Sequence, residues 1–135
     1  MSRIIHSRFF VTVNSNSTDI KYKSLLRKTF ESLINQLEDY LIFRKTGHDK
    51  SKIDEITVDA ASIEIGDEKK MVHLHALVHI VHHSNIQLDN KKIKDKFNKD
   101  LGISVHLDNQ YVETNDVERI INYIRKGEGR FLFRK

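Results

Sequence analysis

The order of apolar and polar positions divides the chain into alternating strand-like and helix-like stretches. RFFVTV, Arg8 to Val13, is a short β-rich run that predicts an opening strand. The polar stretch NSNSTD follows it and offers helix caps. Next, YKSLLRKTFESLINQLEDYLIF places Leu26, Phe30, Leu33, Leu37 and Tyr40 every three to four residues, the period of one long amphipathic helix over 22–43. RKTGHDKSK reads as a polar loop. ITVDAASIEI and VHLHALVHIV predict two further strands, joined by a hairpin-like GDEKKM. LDNKKIKDKFNKDLG predicts a short helix stopped at Gly102, and SVHLDNQYVE a fourth strand. A final helix, NDVERIINYIRKG, takes Asn115 or Asp116 as its cap and carries an apolar stripe of Val117, Ile120, Ile121 and Ile124.

Strand, helix, strand, strand, helix, strand and an extra helix is the order of a ferredoxin-like or RRM-like α+β fold. Such a fold is an antiparallel sheet, here of about five strands, with helices packed on one face. A length of 135 residues without proline, low-complexity sequence or internal repeat predicts one domain over 1–135.

Composition narrows the classes. An apolar fraction of 39% beside a charged fraction of 31% describes a globular chain, and no run approaches the ~20 apolar residues of a membrane span. The opening MSRIIHSRFFVTV lacks the small-residue cleavage site of a secretory signal. Without cysteine there is no disulfide framework and no thiolate chemistry; any metal must sit on His, Asp or Glu, and an intracellular protein is the expectation. The net charge of +4 is modest, but its distribution is not even. From Arg119 onward, Arg119, Arg125, Lys126, Arg130, Arg134 and Lys135 face only Glu128. A second basic run holds Lys91, Lys92, Lys94, Lys96 and Lys99, diluted by Asp95 and Asp100. Both patterns suit phosphate binding, and the second equally suits a solvated helix face.

VHLHALVHIVHH, Val72 to His83, holds five of the eight histidines. In a strand, residues two apart share a face ~6.6–6.8 Å from one another, so His73 and His75 project together while Leu74, Ala76, Val78 and Ile80 form the opposite, core face. The pair alone leaves a metal site and ordinary structural histidines both open. Glu64 on the preceding strand can reach across to the pair, and Glu68, in the expected turn, ranks second. Two histidines and one carboxylate leave coordination positions open for substrate oxygens, as a catalytic ion requires. His79 shares the face but stands ~13 Å beyond His75. His82 and His83 fall where the strand ends and are expected in solvent; a structural role is expected for His106.

On the last helix, Tyr123 lies at the edge of the apolar stripe, with Arg119 one turn back and Lys126 one turn on. The ordinary reading is a boundary tyrosine with a packed ring and a wet hydroxyl. The other is a nucleophile. A phenol of pKa ~10 is a poor one at neutral pH unless a cation or a polarised electrophile assists it.

Carboxylate, histidine pair and tyrosine–lysine helix, in that order, resemble the HUH endonucleases, and most of all the replication initiator (Rep) nuclease domains of circular single-stranded DNA viruses and related plasmids. VTVNS, Val11 to Ser15, is similar to the family's opening-strand motif and keeps Thr12 and Asn14. HLH at His73 to His75 fits the HUH motif, and YIRK fits YxxK at Tyr123 and Lys126. Glu64 stands nine positions before His73, where the family places its acidic ligand. No second tyrosine stands a turn from Tyr123, so the single-tyrosine class is implied.

The resemblance implies a single-stranded DNA endonuclease and strand-transferase that nicks a replication origin, hairpin-associated, to start rolling-circle replication. Mg²⁺ or Mn²⁺ would sit on His73, His75 and Glu64; Tyr123 would form a 5′-phosphotyrosyl adduct with Lys126 assisting. Thr12, Asn14, Arg119, Arg125 and Arg130 would contact DNA. A helicase domain or host replication proteins would be partners, although this chain has no GxxxxGK loop and so no ATPase domain. The compartment would be the host nucleus for a eukaryotic virus, and otherwise the cytoplasm. Rival readings are a single-tyrosine HUH transposase, a metal-dependent hydrolase without a covalent intermediate, and a non-catalytic RNA- or single-stranded-DNA-binding module. The last would want an aromatic RNA-binding strand, which is missing.

Overall fold

The computed structural model describes residues 4–43, 53–66, 70–126 and 129–130. The polar loop at 44–52 and Glu68 lie outside the described residues. In chain order the elements are β1 (Ile5–Asn14), α1 (Lys21–Asn35), a 3-10 turn (Leu37–Tyr40), β2 (Leu41–Phe43), β3 (Ile53–Ile65), β4 (Val72–His82) and β5 (Ile86–Leu88). Then come α2 (Asn90–Leu101), β6 (His106–Tyr111), a second 3-10 turn (Thr114–Asp116) and α3 (Val117–Arg125).

The fold is α+β, as the element order predicts: a four-stranded antiparallel sheet in the order β3-β4-β1-β6, a two-stranded sheet β2-β5, and three helices. Alternation does the sorting. Phe9, Val11 and Val13 of β1 and Leu74, Ala76, Val78 and Ile80 of β4 point to one face and are buried there under Leu26, Phe30, Leu33 and Ile34 of α1 and Ile93 and Phe97 of α2. The ends of α2 follow its sequence. The Asp89 carboxylate accepts from the Lys92 N–H at 3.1 Å, and Gly102 closes the helix at φ 72°, a conformation a Cβ would disfavour.

Two expectations are corrected. The helix predicted over 22–43 ends at Asn35; the chain tightens into the 3-10 turn and then extends as β2, paired with β5. Leu37 and Leu41 keep the helical spacing, but Leu41 and Phe43 are buried two apart against a strand more than forty residues away, and that tertiary pairing overrides the local period. The extra helix changes the second expectation. While α1 and α2 cover one face, α3 packs Ile124, Ile120, Ile121 and Val117 against Ala60, Leu77, Phe10 and Val112 on the other, so the histidine face is partly roofed.

A register shift in β3 decides which of its residues join the histidine face. Ile56 and Val58 lie opposite Ile80 and Val78 on the core face, yet past the shift between Val58 and Ala60 it is Ala61 and Ile63 that lie opposite Ala76 and Leu74. The extra residue, Asp59, moves the even-numbered positions Ala60, Ser62 and Glu64 to the histidine face. No helix among the described residues is long and apolar enough to cross a membrane.

Candidate active site

The register brings Glu64 directly opposite His73 and Ser62 directly opposite His75 on one side of β4, with Asn14 and Thr12 opposite the same two histidines on the other. Glu64, His73 and His75 each present a ligand atom within 4.8 Å of the others, the one such group of three among the described residues. His73 Nε2 and Glu64 Oε2 stand 4.0 Å apart. The second ring nitrogens are oriented from outside the cluster. The His73 Nδ1–H donates to the Met71 carbonyl at 3.1 Å, and His75 Nδ1 meets the Thr12 hydroxyl at 3.1 Å. Holding Nδ1 in this way leaves Nε2 of His73 facing Glu64, and such outer contacts fix tautomer and ring plane in metal sites.

The residues fit a divalent cation. Two imidazoles and a carboxylate are the borderline and hard donors that such ions take. Burial, reinforced by the charge of His73, pulls His75 from 6.5 down to about 4, so its ring is neutral and its lone pair is available at physiological pH. Ser62, wholly buried beside His75, has a hydroxyl with no hydrogen-bond partner among the described residues, a polar atom whose position at the cluster suits a hydrated or coordinated ligand. The cluster can therefore hold a metal ion, with Glu64, His73 and His75 as its protein ligands.

The tyrosine helix crosses beside the cluster. The Tyr123 ring lies 5.7 Å from that of His75, edge to face, and 6.3 Å from that of Phe10, which itself stacks on His75 at 5.7 Å. Tyr123 is 56% exposed, so its ring is braced on one side and open on the other. Tyr123 and Lys126 line an open groove of about 590 Å³ together with Arg119, Asn122, Asn115 and Glu118. Arg119 is ion-paired with Asp116 at 3.5 Å, and Arg125 is exposed at the helix end. Asp116 is the N-cap residue, although its side chain makes no capping bond. Arg130 lies beyond the helix, its backbone bridged to Ser62.

Of the two opening-strand residues, Thr12 is engaged by His75, and the Asn14 side chain accepts the Asn16 N–H at 2.8 Å in the turn that follows β1. The remaining histidines are placed elsewhere. His79 pairs ring to ring with His6 at 2.9 Å, and burial together with Arg8 lowers its pKa. His82, expected in solvent, is 1% exposed: β4 runs on through it, and Ser7 Oγ at 2.7 Å and the Ser84 carbonyl satisfy its ring. His83 is half-buried, with Nε2 hydrogen-bonded to the Asp54 carboxylate at 2.6 Å. His106, expected to be structural, is exposed at the start of β6, where the edge strand turns it outward.

Residue patterning alone missed Phe10, Ser62 and the Met71 carbonyl. The first two had a signal: Phe10 stands two before Thr12 and Ser62 two before Glu64, so strand alternation puts each on the face of its neighbour. The Met71 carbonyl had none, because a backbone group leaves no mark in composition. A scan against protein-family models finds no match for the chain, and a search of curated proteins finds none either.

Proposed function

We propose that this chain is a metal-dependent single-stranded DNA endonuclease and strand-transferase of the HUH Rep type, acting at a replication origin through Tyr123. One observation carries the reading: a solvent-open tyrosine stands over His75 in a three-ligand cluster, although some fifty residues separate them in sequence. A solvated boundary tyrosine has no need of such a neighbour.

Glu64, His73 and His75 would hold Mg²⁺ or Mn²⁺, which when bound supplies Lewis acidity toward a phosphodiester. The rest falls to the chain's own groups. The Tyr123 oxygen attacks phosphorus in line; the new P–O(Tyr) bond forms as the bond to the 3′ oxygen breaks. The phenol gives up its proton to solvent, and the departing 3′ oxygen takes one up. The products are a 5′-phosphotyrosyl adduct and a 3′-hydroxyl, which can prime synthesis, and attack by a 3′-hydroxyl on the adduct reverses the step and joins strands. Lys126 and Arg119, in the groove with Tyr123, offset negative charge around the phenol and the phosphate. Arg125 and Arg130 add backbone contacts, and Thr12 and Asn14 border the cluster from β1. A helicase domain or host replication proteins would supply unwinding.

Incubation with a single-stranded, hairpin-bearing oligonucleotide and Mn²⁺ is expected to yield an adduct that survives denaturing electrophoresis. Tyr123→Phe is expected to abolish it. Adduct formation by that variant would remove Tyr123 as nucleophile, and failure to cleave or link any single-stranded DNA would remove the endonuclease reading itself.

A further inference from the structure

The chain does not leave the site where α3 ends. Three residues after Lys126 it returns to the outer edge of β3: the Ile63 N–H donates to the Gly129 carbonyl at 2.8 Å, and Arg130 forms an antiparallel bridge with Ser62. A Cβ built on Gly129 would fall 1.5 Å from the Ile63 carbonyl oxygen, against backbone that cannot give way, so glycine alone permits this approach. The contact ties the end of the tyrosine helix to the strand that carries Glu64.

It also decides where Arg130 sits. Residues directly opposite one another on antiparallel strands share a face. Thr12 is opposite His75, His75 opposite Ser62, and Ser62 opposite Arg130. These four form one transverse row across the histidine face. Strands lie ~4.8 Å apart, which leaves the Arg130 Cβ about 10 Å from that of His75, a gap that a long guanidinium side chain largely spans. In that row the residue between them is the small Ser62. Arg130 is exposed and has no ion-pair partner among the described residues, so its head is available to an external anion.

We propose that residues 129–130 form a strap that delivers Arg130 to an anion subsite beside Glu64, His73 and His75, where its guanidinium binds a phosphate of the strand being processed. The identity of the anion as a DNA phosphate rests on the function proposed above; the placement of Arg130 does not. A forked, always-charged guanidinium suits two phosphate oxygens at once, which a lysine cannot match.

The test uses Tyr123→Phe protein, which cannot form the adduct, and a fluorescent single-stranded oligonucleotide in EDTA, with affinity read by anisotropy over a range of salt. Adding Arg130→Ala is expected to weaken binding about tenfold or more, the loss of a charge-assisted hydrogen bond to phosphate. The log–log salt slope should fall by about 0.7, the value of one phosphate contact on a single strand. Lys99→Ala, which removes the same charge from α2 on the opposite face of the sheet, should change affinity less than about twofold. Arg130→Lys should restore part of the loss. Gly129→Ala should cost as much as Arg130→Ala, and the double variant no more than either, because both remove one delivered cation. Mn²⁺ affinity should not fall in Arg130→Ala, since the ligand cluster is untouched.

If Arg130→Ala behaves like Lys99→Ala while the parent binds, Arg130 is only general surface charge and the subsite is refuted, with the DNA reading left standing. If the Gly129 and Arg130 losses add, the strap does not deliver the arginine. If the parent binds no single-stranded DNA at any salt, the subsite and the proposed function fall together. Should Gly129→Ala fail to fold, Arg130→Ala and Arg130→Lys still decide the matter.

Discussion

The two faces of β4 are made by the same eleven residues and have opposite chemistry. Leu74, Ala76, Val78 and Ile80 lie against α1 and α2 in a dry core; His73, His75, Leu77 and His79 face the other way. In the middle of that second face α3 seals Leu77 with Ile124 and Ala60. To one side stand the ligand cluster and Tyr123, and to the other the His6–His79 pair. The difference teaches how a small α+β chain divides its labour. One face spends its side chains on stability, which frees the other to hold buried polar groups that a core would not tolerate unpaired. The helix over the histidine face covers only enough to brace Phe10, His75 and Tyr123 while leaving the phenol open.

Neighbouring substitutions on one strand test that division most directly. Leu74→Ala, on the core face, is expected to cost about 2–5 kcal/mol in urea unfolding. His73→Ala, one residue away, is expected to cost on the order of 1 kcal/mol or less, because its ring is only partly enclosed. Metal binding should show the reverse order. His73→Ala removes one of three ligands and should weaken Mn²⁺ affinity, read by calorimetry, by roughly a hundredfold or more, beyond the effect of an outer-shell change. Leu74→Ala protein that remains folded should bind Mn²⁺ nearly as the parent does. Equal stability losses at 73 and 74 would mean that both faces are core.

A finer probe is Thr12. Its hydroxyl meets His75 Nδ1 at 3.1 Å without being a ligand. Thr12→Val keeps the shape of a strand residue and removes that partner, so unfolding should change little while Mn²⁺ affinity drops about 10- to 100-fold. Unchanged affinity would show that Phe10 alone orients the ring.

Much of this was legible in the residues, and the exceptions share a cause. Period-two alternation in VHLHALVHIV assigned both faces of β4 correctly, because a strand buried on one side must follow it. The pairing of Glu64 with His73 followed from neighbouring strands, yet it depends on the extra residue at Asp59. That shift is written in the sequence as a change of parity: Ile56 and Val58 are apolar at even positions, Ile63 and Ile65 at odd ones. The strand pairing of β2 with β5 was hidden, since Leu41 and Phe43 also fit a helical spacing and their partner lies far along the chain. The burial of His82 was hidden too. An imidazole goes inside only when its partners are there, and Ser7 lies seventy-five residues away. Local periodicity reports which side of an element is apolar; it does not report what a distant element brings to meet it.

The smallest expected effect concerns protons. Burial, with the charge of His73 added, lowers His75 from 6.5 to about 4, and burial also lowers His82. In both cases the folded-state pKa lies below the unfolded value, so the unfolded chain takes up a proton first as pH falls. The stability held by these neutral rings is fully present above pH 6.5 and is lost on acidification; for His75 the loss runs until about pH 4 and then levels. Measured in EDTA between pH 6.5 and 5, where carboxylates of ordinary pKa stay mostly ionised, the urea midpoint should decline with acid. His75→Asn should flatten part of that slope, and Leu77→Ala, on the same face but without a titrating group, should lower the midpoint at every pH and leave the slope alone. A slope unchanged by His75→Asn would mean that the ring is solvated on the histidine face. The division would then be one of apolar against wet, with no dry polar pocket for a metal to enter.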